Sequence, residues 1–170
     1  MLGTLDTLIP DYICKNIIES SLDKLTPSVN YDGVVSQHKT CYSTWLKTDE
    51  CILATNLIAE EVGEDVSHFL TCNILRYTKG QHFAPHFDAT PNDGGIRLKT
   101  FMLYLNDDYT GGETHFPNVG ATLTPKTGKI VWWQNYDDNN KMILASMHES
   151  LPVKTGTKFV AVISLMSKNE

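Results

Sequence analysis

In the first third of the chain, apolar residues recur at helical spacing. Between Pro10 and Leu25, Ile13, Ile17, Ile18 and Leu22 fall on one face, Asp11 stands at the head of the run and Pro27 closes it shortly afterwards, so the spacing predicts a helix. A second helix is expected from about Cys51 to Val66, carried by Ile52, Leu53, Leu57, Ile58 and Val62, with Thr48, Asp49 and Glu50 as cap-like residues ahead of it. The segment between them, Tyr31 to Trp45, reads as strand and loop.

After Ser67 the period changes. Short apolar or alternating runs predict strands over Phe69 to Tyr77, His82 to Asp88, Lys99 to Leu105, Gly112 to His115, Ala121 to Leu123, Lys129 to Gln134, Ala145 to Glu149 and Lys158 to Met166. Turn chemistry separates them at Gly80, Pro91 to Gly95, Gly111-Gly112, Pro125, Asp137 to Asn140 and Pro152 to Gly156. Helices followed by many short strands imply a mainly β fold with supporting α-helices, an antiparallel sandwich of the jelly-roll (double-stranded β-helix) kind. We expect one domain over residues 1–170, with helical support over about 1–67 and the jelly-roll core over about 68–168.

A hydrophobic content of 41% and a charged content of 20% suit a chain that builds its own core. The net charge of -6, with no basic stripe, argues against a nucleic-acid backbone as the main partner. The first ten residues lack a basic stretch leading into an apolar one, and no run approaches the roughly 20 apolar residues of a membrane span. The expectation is a soluble, cytoplasmic protein with no membrane partner. Cys14, Cys41, Cys51 and Cys72 are scattered, with no C-x-x-C pair. They read as reduced thiols, two disulfides in a secreted chain being the alternative.

The candidate chemistry begins with His86 and Asp88, two residues apart in a strand-like run and therefore on one face of it. His148, from a neighbouring strand, would complete a two-histidine, one-carboxylate facial triad, which leaves three adjacent coordination positions open. A 2-oxo acid needs two of these and dioxygen the third. The far carboxylate of 2-oxoglutarate then requires a buried cation, and Lys158 would reach it from the strand after the turn at Pro152 to Gly156. An isolated H-x-D is common by chance, so spacing also admits Asp88 as a turn cap and His148 as a satisfied core histidine.

Longer runs carry more information. The run from Leu75 to Asp88 (LRYTKGQHFAPHFD), the run from Arg97 to Asn106 (RLKTFMLYLN), Gly111 to Pro117 (GGETHFP), Pro125 to Gly128 and His148 to Lys158 (HESLPVKTGTK) resemble, in this order, the blocks of the prolyl 4-hydroxylase family of Fe(II)/2-oxoglutarate-dependent dioxygenases. Tyr42 to Leu46 and the second helix also fit the family's N-terminal half, so the resemblance spans nearly the whole chain. Its short length resembles the bacterial or viral members.

The resemblance implies that His86, Asp88 and His148 hold iron and form the catalytic centre, and that Lys158 pairs with the C5 carboxylate of 2-oxoglutarate. It further implies that the Tyr77 hydroxyl meets the same carboxylate, that Thr100 and Tyr104 line the pocket, and that Arg97 contacts a peptide substrate. The implied activity uses O2, releases succinate and CO2, and hydroxylates proline in a peptide or protein, with ascorbate as reductant. Ser164 replaces a Trp common in the family and Leu70 an acidic residue, both near the region expected to shape substrate entry. They keep open hydroxylation of a free amino acid or another peptidyl side chain. A non-catalytic jelly-roll binding module is the remaining alternative.

Overall fold

The computed structural model describes residues 1–6, 8–29, 33–89 and 95–167. In chain order the elements are β1 (Leu2–Leu5), α1 (Asp11–Ser21), β2 (Thr26–Pro27), β3 (Tyr42–Leu46), α2 (Asp49–Val62), β4 (Cys72–Tyr77), β5 (Phe83–His86), β6 (Arg97–Tyr104), β7 (Thr110–Gly111), β8 (Thr114–Phe116), β9 (Ala121–Leu123), β10 (Ile130–Gln134), β11 (His148–Ser150), β12 (Val153–Thr155) and β13 (Lys158–Met166). They build a seven-stranded sheet in the order β1-β10-β6-β13-β4-β3-β2, a four-stranded sheet β5-β11-β8-β9 and a two-stranded ribbon β12-β7, with every pairing antiparallel.

The alternation along β13 explains the layers. Phe159, Ala161, Ile163 and Leu165 point to one side, where they pack with Ile13, Ile17, Ala54 and Ile58 of the two helices. Val160 points to the other side and joins Leu75, Tyr77, Met102, Tyr104, Val131, Trp133 and Phe116 in a second apolar cluster between the seven-stranded and four-stranded sheets. A strand buried on both faces reads as a nearly continuous apolar run, and β13 does. The result is a jelly roll whose large sheet is backed by helices and whose inner face looks onto the small sheet.

Several boundaries differ from those expected. α2 starts earlier because the Thr48 side chain accepts a hydrogen bond from the Cys51 amide, and it ends at Val62 because Gly63 turns left-handed at φ 70. Val66 falls instead in a short 3-10 turn, Val66–His68. α1 stops at Ser21, well short of Leu25, and Pro10 rather than Asp11 holds its capping position. The Ala145 to Glu149 run divides into a 3-10 turn over Leu144–Ser146 and the strand β11. Within the expected turn at Pro152 to Gly156, residues 153–155 form β12 against β7. Tyr31 and the loop residues 91–94 lie outside the described residues. All four cysteines are free and buried. Among the described residues, no helix is long and apolar enough to cross a membrane.

Candidate metal centre and its cavity

His86, the last residue of β5, and His148, the first of β11, are register partners across adjacent strands of the small sheet. Cross-strand partners project to the same side, so the two imidazoles meet, with ring centres 4.2 Å apart. Asp88 follows just beyond β5. Its Oδ1 lies 3.7 Å from His86 Nε2 and its Oδ2 lies 3.8 Å from His148 Nε2. Aromatic rings fix the imidazole planes: Phe83 stacks on His86 at 3.6 Å, and Trp133 packs against His148 at 4.4 Å.

The protons are placed by the backbone. His86 Nδ1 lies 2.8 Å from the Ala84 carbonyl and His148 Nδ1 2.9 Å from the Ser146 carbonyl. A carbonyl only accepts, so in each neutral ring Nδ1 carries the hydrogen and Nε2 presents a lone pair. Burial, reinforced by the neighbouring His148, pushes His86 down to about 4. Burial alone would raise Asp88, but His148, His86 and the hydrogen bond from Thr100 outweigh it and hold the carboxyl below its ordinary range. The two Nε2 atoms and the Asp88 carboxylate therefore face one another, their ligand atoms all within 4.8 Å. This donor set, with the other nitrogen of each ring bonded to a carbonyl, suits a divalent transition metal such as iron(II).

The triad opens onto a cavity of about 260 Å³ whose lining also includes Tyr77, Arg97 and Lys158. Lys158 opens β13 directly opposite Tyr77 of β4. It is 1% exposed, and among the described residues no carboxylate lies within ion-pair distance of it. Its Nζ donates to the Gly112 carbonyl at 2.7 Å and to Ser150 Oγ at 2.8 Å, which leaves one of three ammonium hydrogens for a ligand. Burial pulls the ammonium down to about 7, with Cys41 and Glu113 acting in the opposite sense. Burial, with Cys41 beside it, raises the Tyr77 hydroxyl well above its usual value, so it stays a neutral group. Gly112 permits this packing. Its φ is +66, and a Cβ there would lie 2.9 Å from Val153 Cγ2 and 3.2 Å from Lys158 Cδ.

The structure thus brings His86, Asp88, His148, Tyr77, Lys158 and Arg97 to one cavity. Two expected lining residues are placed differently. Thr100 and Tyr104 do face inward from β6, as alternation requires, but neither is among the residues lining the cavity. The Thr100 hydroxyl donates to Asp88 Oδ2 at 2.8 Å, and the Tyr104 hydroxyl donates to Thr114 Oγ1 at 3.0 Å, so Thr114 stands at the wall. Ser164 and Leu70 are also absent from the lining. Ser164 is buried opposite Thr100, and its carbonyl accepts from the Leu70 amide at 2.8 Å.

Sequence reasoning missed Ser150, Lys39, Asn73 and Phe83, all of which line the cavity. For Ser150 a signal existed, since it lies two residues after His148 in the same strand. Asn73 had the same kind of signal, four residues before Tyr77 on one face of β4, whereas Lys39 carries none, because only the fold brings its segment to the cavity.

Comparison with known proteins agrees with this geometry. The family model of the 2OG-Fe(II) oxygenase superfamily matches residues 72–164. Prolyl 4-hydroxylase subunit alpha-1 of Rattus norvegicus is 29% identical over 163 residues, covering 88% of this chain and 30% of that protein. The chain therefore spans under a third of the length of that relative. Among solved structures, the viral collagen prolyl hydroxylase of Paramecium Bursaria Chlorella virus-1, in complex with 2OG, superposes with a TM-score of 0.76 at 24% identity, over 96% of this chain and 94% of that one. A prolyl hydroxylase of Trichoplax adhaerens, in complex with a hypoxia inducible factor peptide fragment, gives a TM-score of 0.73 at 14% identity, over 97% and 83%. The matched segment contains the triad and the buried lysine within the same jelly roll, and the chain belongs to the 2OG-Fe(II) oxygenase superfamily.

Proposed function

We propose that this chain is an Fe(II)- and 2-oxoglutarate-dependent dioxygenase that hydroxylates proline within a peptide or protein and releases succinate and CO2. The observation that carries the proposal is one cavity holding both the converging His86, Asp88, His148 cluster and a buried Lys158 ammonium that, among the described residues, has no carboxylate within ion-pair distance. The first suits iron(II), and the second suits the far carboxylate of a 2-oxo diacid.

In this reading His86, Asp88 and His148 hold iron through Nε2, a carboxylate oxygen and Nε2. Bound iron supplies oxygen activation coupled to decarboxylation of the cosubstrate, with ascorbate as reductant. Lys158 donates to the C5 carboxylate, and the neutral Tyr77 hydroxyl beside it donates to the same group. Val160 and Leu75 keep the intervening wall apolar and exclude water from it. Arg97, Lys39 and Asn73 line the same cavity, and among the described residues none of them is in an ion pair. They face the peptide, with the guanidinium and amide meeting main-chain carbonyls. The three relatives described above are prolyl hydroxylases, which supports proline as the target, and the peptide complex of the Trichoplax protein supports a peptide. Residues 1–170 act together as one oxygenase domain, the helices of the N-terminal part stiffening the large sheet.

The test is anaerobic loading with iron(II) and 2-oxoglutarate, exposure to oxygen with ascorbate present, and detection of succinate with and without a panel of proline-containing peptides. Succinate that depends on His86 and rises with a peptide gaining one oxygen atom supports the proposal. Metal binding without turnover on any peptide would sink the proline assignment, and loss of metal binding altogether would sink the enzyme reading.

A further inference from the structure

Asp88 lies beyond the end of β5, outside the strand pairing that fixes His86 and His148. Its carboxylate is steadied from the opposite sheet. Thr100 Oγ1, on β6, donates to Asp88 Oδ2 at 2.8 Å, and Asn135 Nδ2, just past the end of β10, donates to Thr100 Oγ1 at 3.0 Å. Thr100 and Asn135 are both 0% exposed, so water offers neither an alternative partner.

The direction of these two bonds is forced by the chemistry of the groups. An ionised carboxylate only accepts, so the single Thr100 proton goes to Asp88. The Thr100 oxygen is then an acceptor toward Asn135, and the amide must turn its NH2 toward it. The consequence is visible at the other end of the amide, where Asn135 Oδ1 is buried without a partner. An unmet buried acceptor lowers stability and calls for a reason. The Asn135 main chain is tied on both sides, its amide donating to the Leu98 carbonyl at 2.9 Å and its carbonyl accepting from the Ile143 amide at 2.9 Å.

We infer that Asn135 and Thr100 form a positioning relay that decides how Asp88 meets the metal: one lone pair of Oδ2 is committed to Thr100, so Oδ1 is the oxygen presented with both lone pairs free. A carboxylate bound through one oxygen takes one coordination position instead of two. A site that must also accept a chelating cosubstrate and dioxygen requires this economy of positions. The inference rests on the metal reading proposed above. Neither residue touches the cavity, so both act through Asp88 alone.

The experiment is anaerobic titration with Co(II), followed by its visible absorption, of the wild type, Thr100→Val, Thr100→Ser, Asn135→Asp, the Thr100→Val/Asn135→Asp double variant and His86→Ala. Circular dichroism of each variant checks folding. Thr100→Val keeps the shape and removes the proton, and it should weaken Co(II) binding by about 10- to 100-fold, the range found for orienting partners of metal ligands. Thr100→Ser keeps the hydroxyl and should stay within roughly threefold of wild type, far inside that range. Asn135→Asp turns an acceptor toward Thr100 and draws its proton away from Asp88, so it should resemble Thr100→Val. Because the two substitutions break one relay, the double variant should bind no more weakly than Thr100→Val alone. Wild-type affinity in Thr100→Val or Asn135→Asp, or losses that add in the double variant, would overturn the relay. Should Thr100→Val fold poorly, the contrast between Asn135→Asp and Thr100→Ser decides the matter in the same way. A wild type that binds Co(II) no better than His86→Ala would instead overturn the metal reading, and the relay with it.

Discussion

Lys158 stands directly opposite Tyr77 across the β13-β4 pairing, with its ammonium 5.0 Å from the centre of the tyrosine ring. The arrangement keeps a cation beside a neutral hydroxyl, with no carboxylate of the described residues within ion-pair distance of it.

Binding of 2-oxoglutarate should therefore depend on pH through Lys158. With burial holding its ammonium near 7, the free protein loses that proton above neutral pH. A bound carboxylate favours the charged form and raises the value, so above pH 7 binding takes up a proton and weakens as pH climbs. Calorimetry in buffers of different ionisation enthalpy, with Mn(II) in place of iron, should report that uptake; no dependence on buffer at pH 8 would sink the idea. The stability of the free protein runs the other way. The unfolded chain holds this proton up to its ordinary value near 10.5, so between about 7 and 10.5 it binds more protons than the folded chain, and the contribution of this group to stability rises with pH.

Lys158→Met should separate cosubstrate binding from metal binding. Loss of a charge-assisted contact worth about 1.5–3 kcal/mol predicts a rise of roughly 10- to 100-fold in the KM for 2-oxoglutarate. Co(II) affinity should stay near wild type, because Lys158 is not a ligand. Equal weakening of both would mean that the pocket had collapsed.

Divalent metal should stabilise the fold through the three converging acceptors. At a hundred times its Kd, a metal that binds only the folded state adds about 2.7 kcal/mol, and chelation should remove it. Thermal unfolding with Mn(II) and with EDTA measures the effect. His148→Ala should unfold at the same temperature in both; a shift that persisted in that variant would place the metal elsewhere.

Arg97→Ala should raise the KM for a peptide substrate while leaving Co(II) and 2-oxoglutarate binding unchanged, since the guanidinium lines the cavity outside the cosubstrate contacts. One or two lost hydrogen bonds to a peptide predict an increase of about 5- to 30-fold. An unchanged KM, measured with a peptide that turns over, would remove Arg97 from the substrate surface.

Gly112→Ala tests how closely the backbone supports Lys158. A side chain there meets Val153 and Lys158 at a φ of +66, so both strain and a displaced lysine follow. We expect a loss of about 1–3 kcal/mol in chemical denaturation together with weaker 2-oxoglutarate binding. Wild-type cosubstrate affinity in the folded variant would contradict the second expectation.

The legible parts of this protein were those encoded locally. Helical spacing marked α1 and α2, and the nearly continuous apolar run from Lys158 to Met166 matched β13 end to end. The H-x-D spacing pointed to His86 and Asp88 as one cluster, which they form although Asp88 lies past the end of β5, and the family resemblance singled out Thr100 and Tyr104, which share the inner face of β6. Short elements escaped, because β1, β2, β7 and β12 are two to four residues long and owe their strand character to a partner chain segment.

What only the tertiary structure decided is the second half of each polar contact. The side of the sheet that Thr100 faces follows from its own strand, but its bonds to Asp88 and Asn135 join residues 12 and 35 positions away. The contact of Tyr104 with Thr114, the placement of Lys39 on the cavity wall and the distance of Lys158 from the carboxylates of the described residues likewise depend on how the two sheets stack. Periodicity along a chain determines a direction. A hydrogen bond needs a distance as well, and that distance arises when separately encoded strands pack.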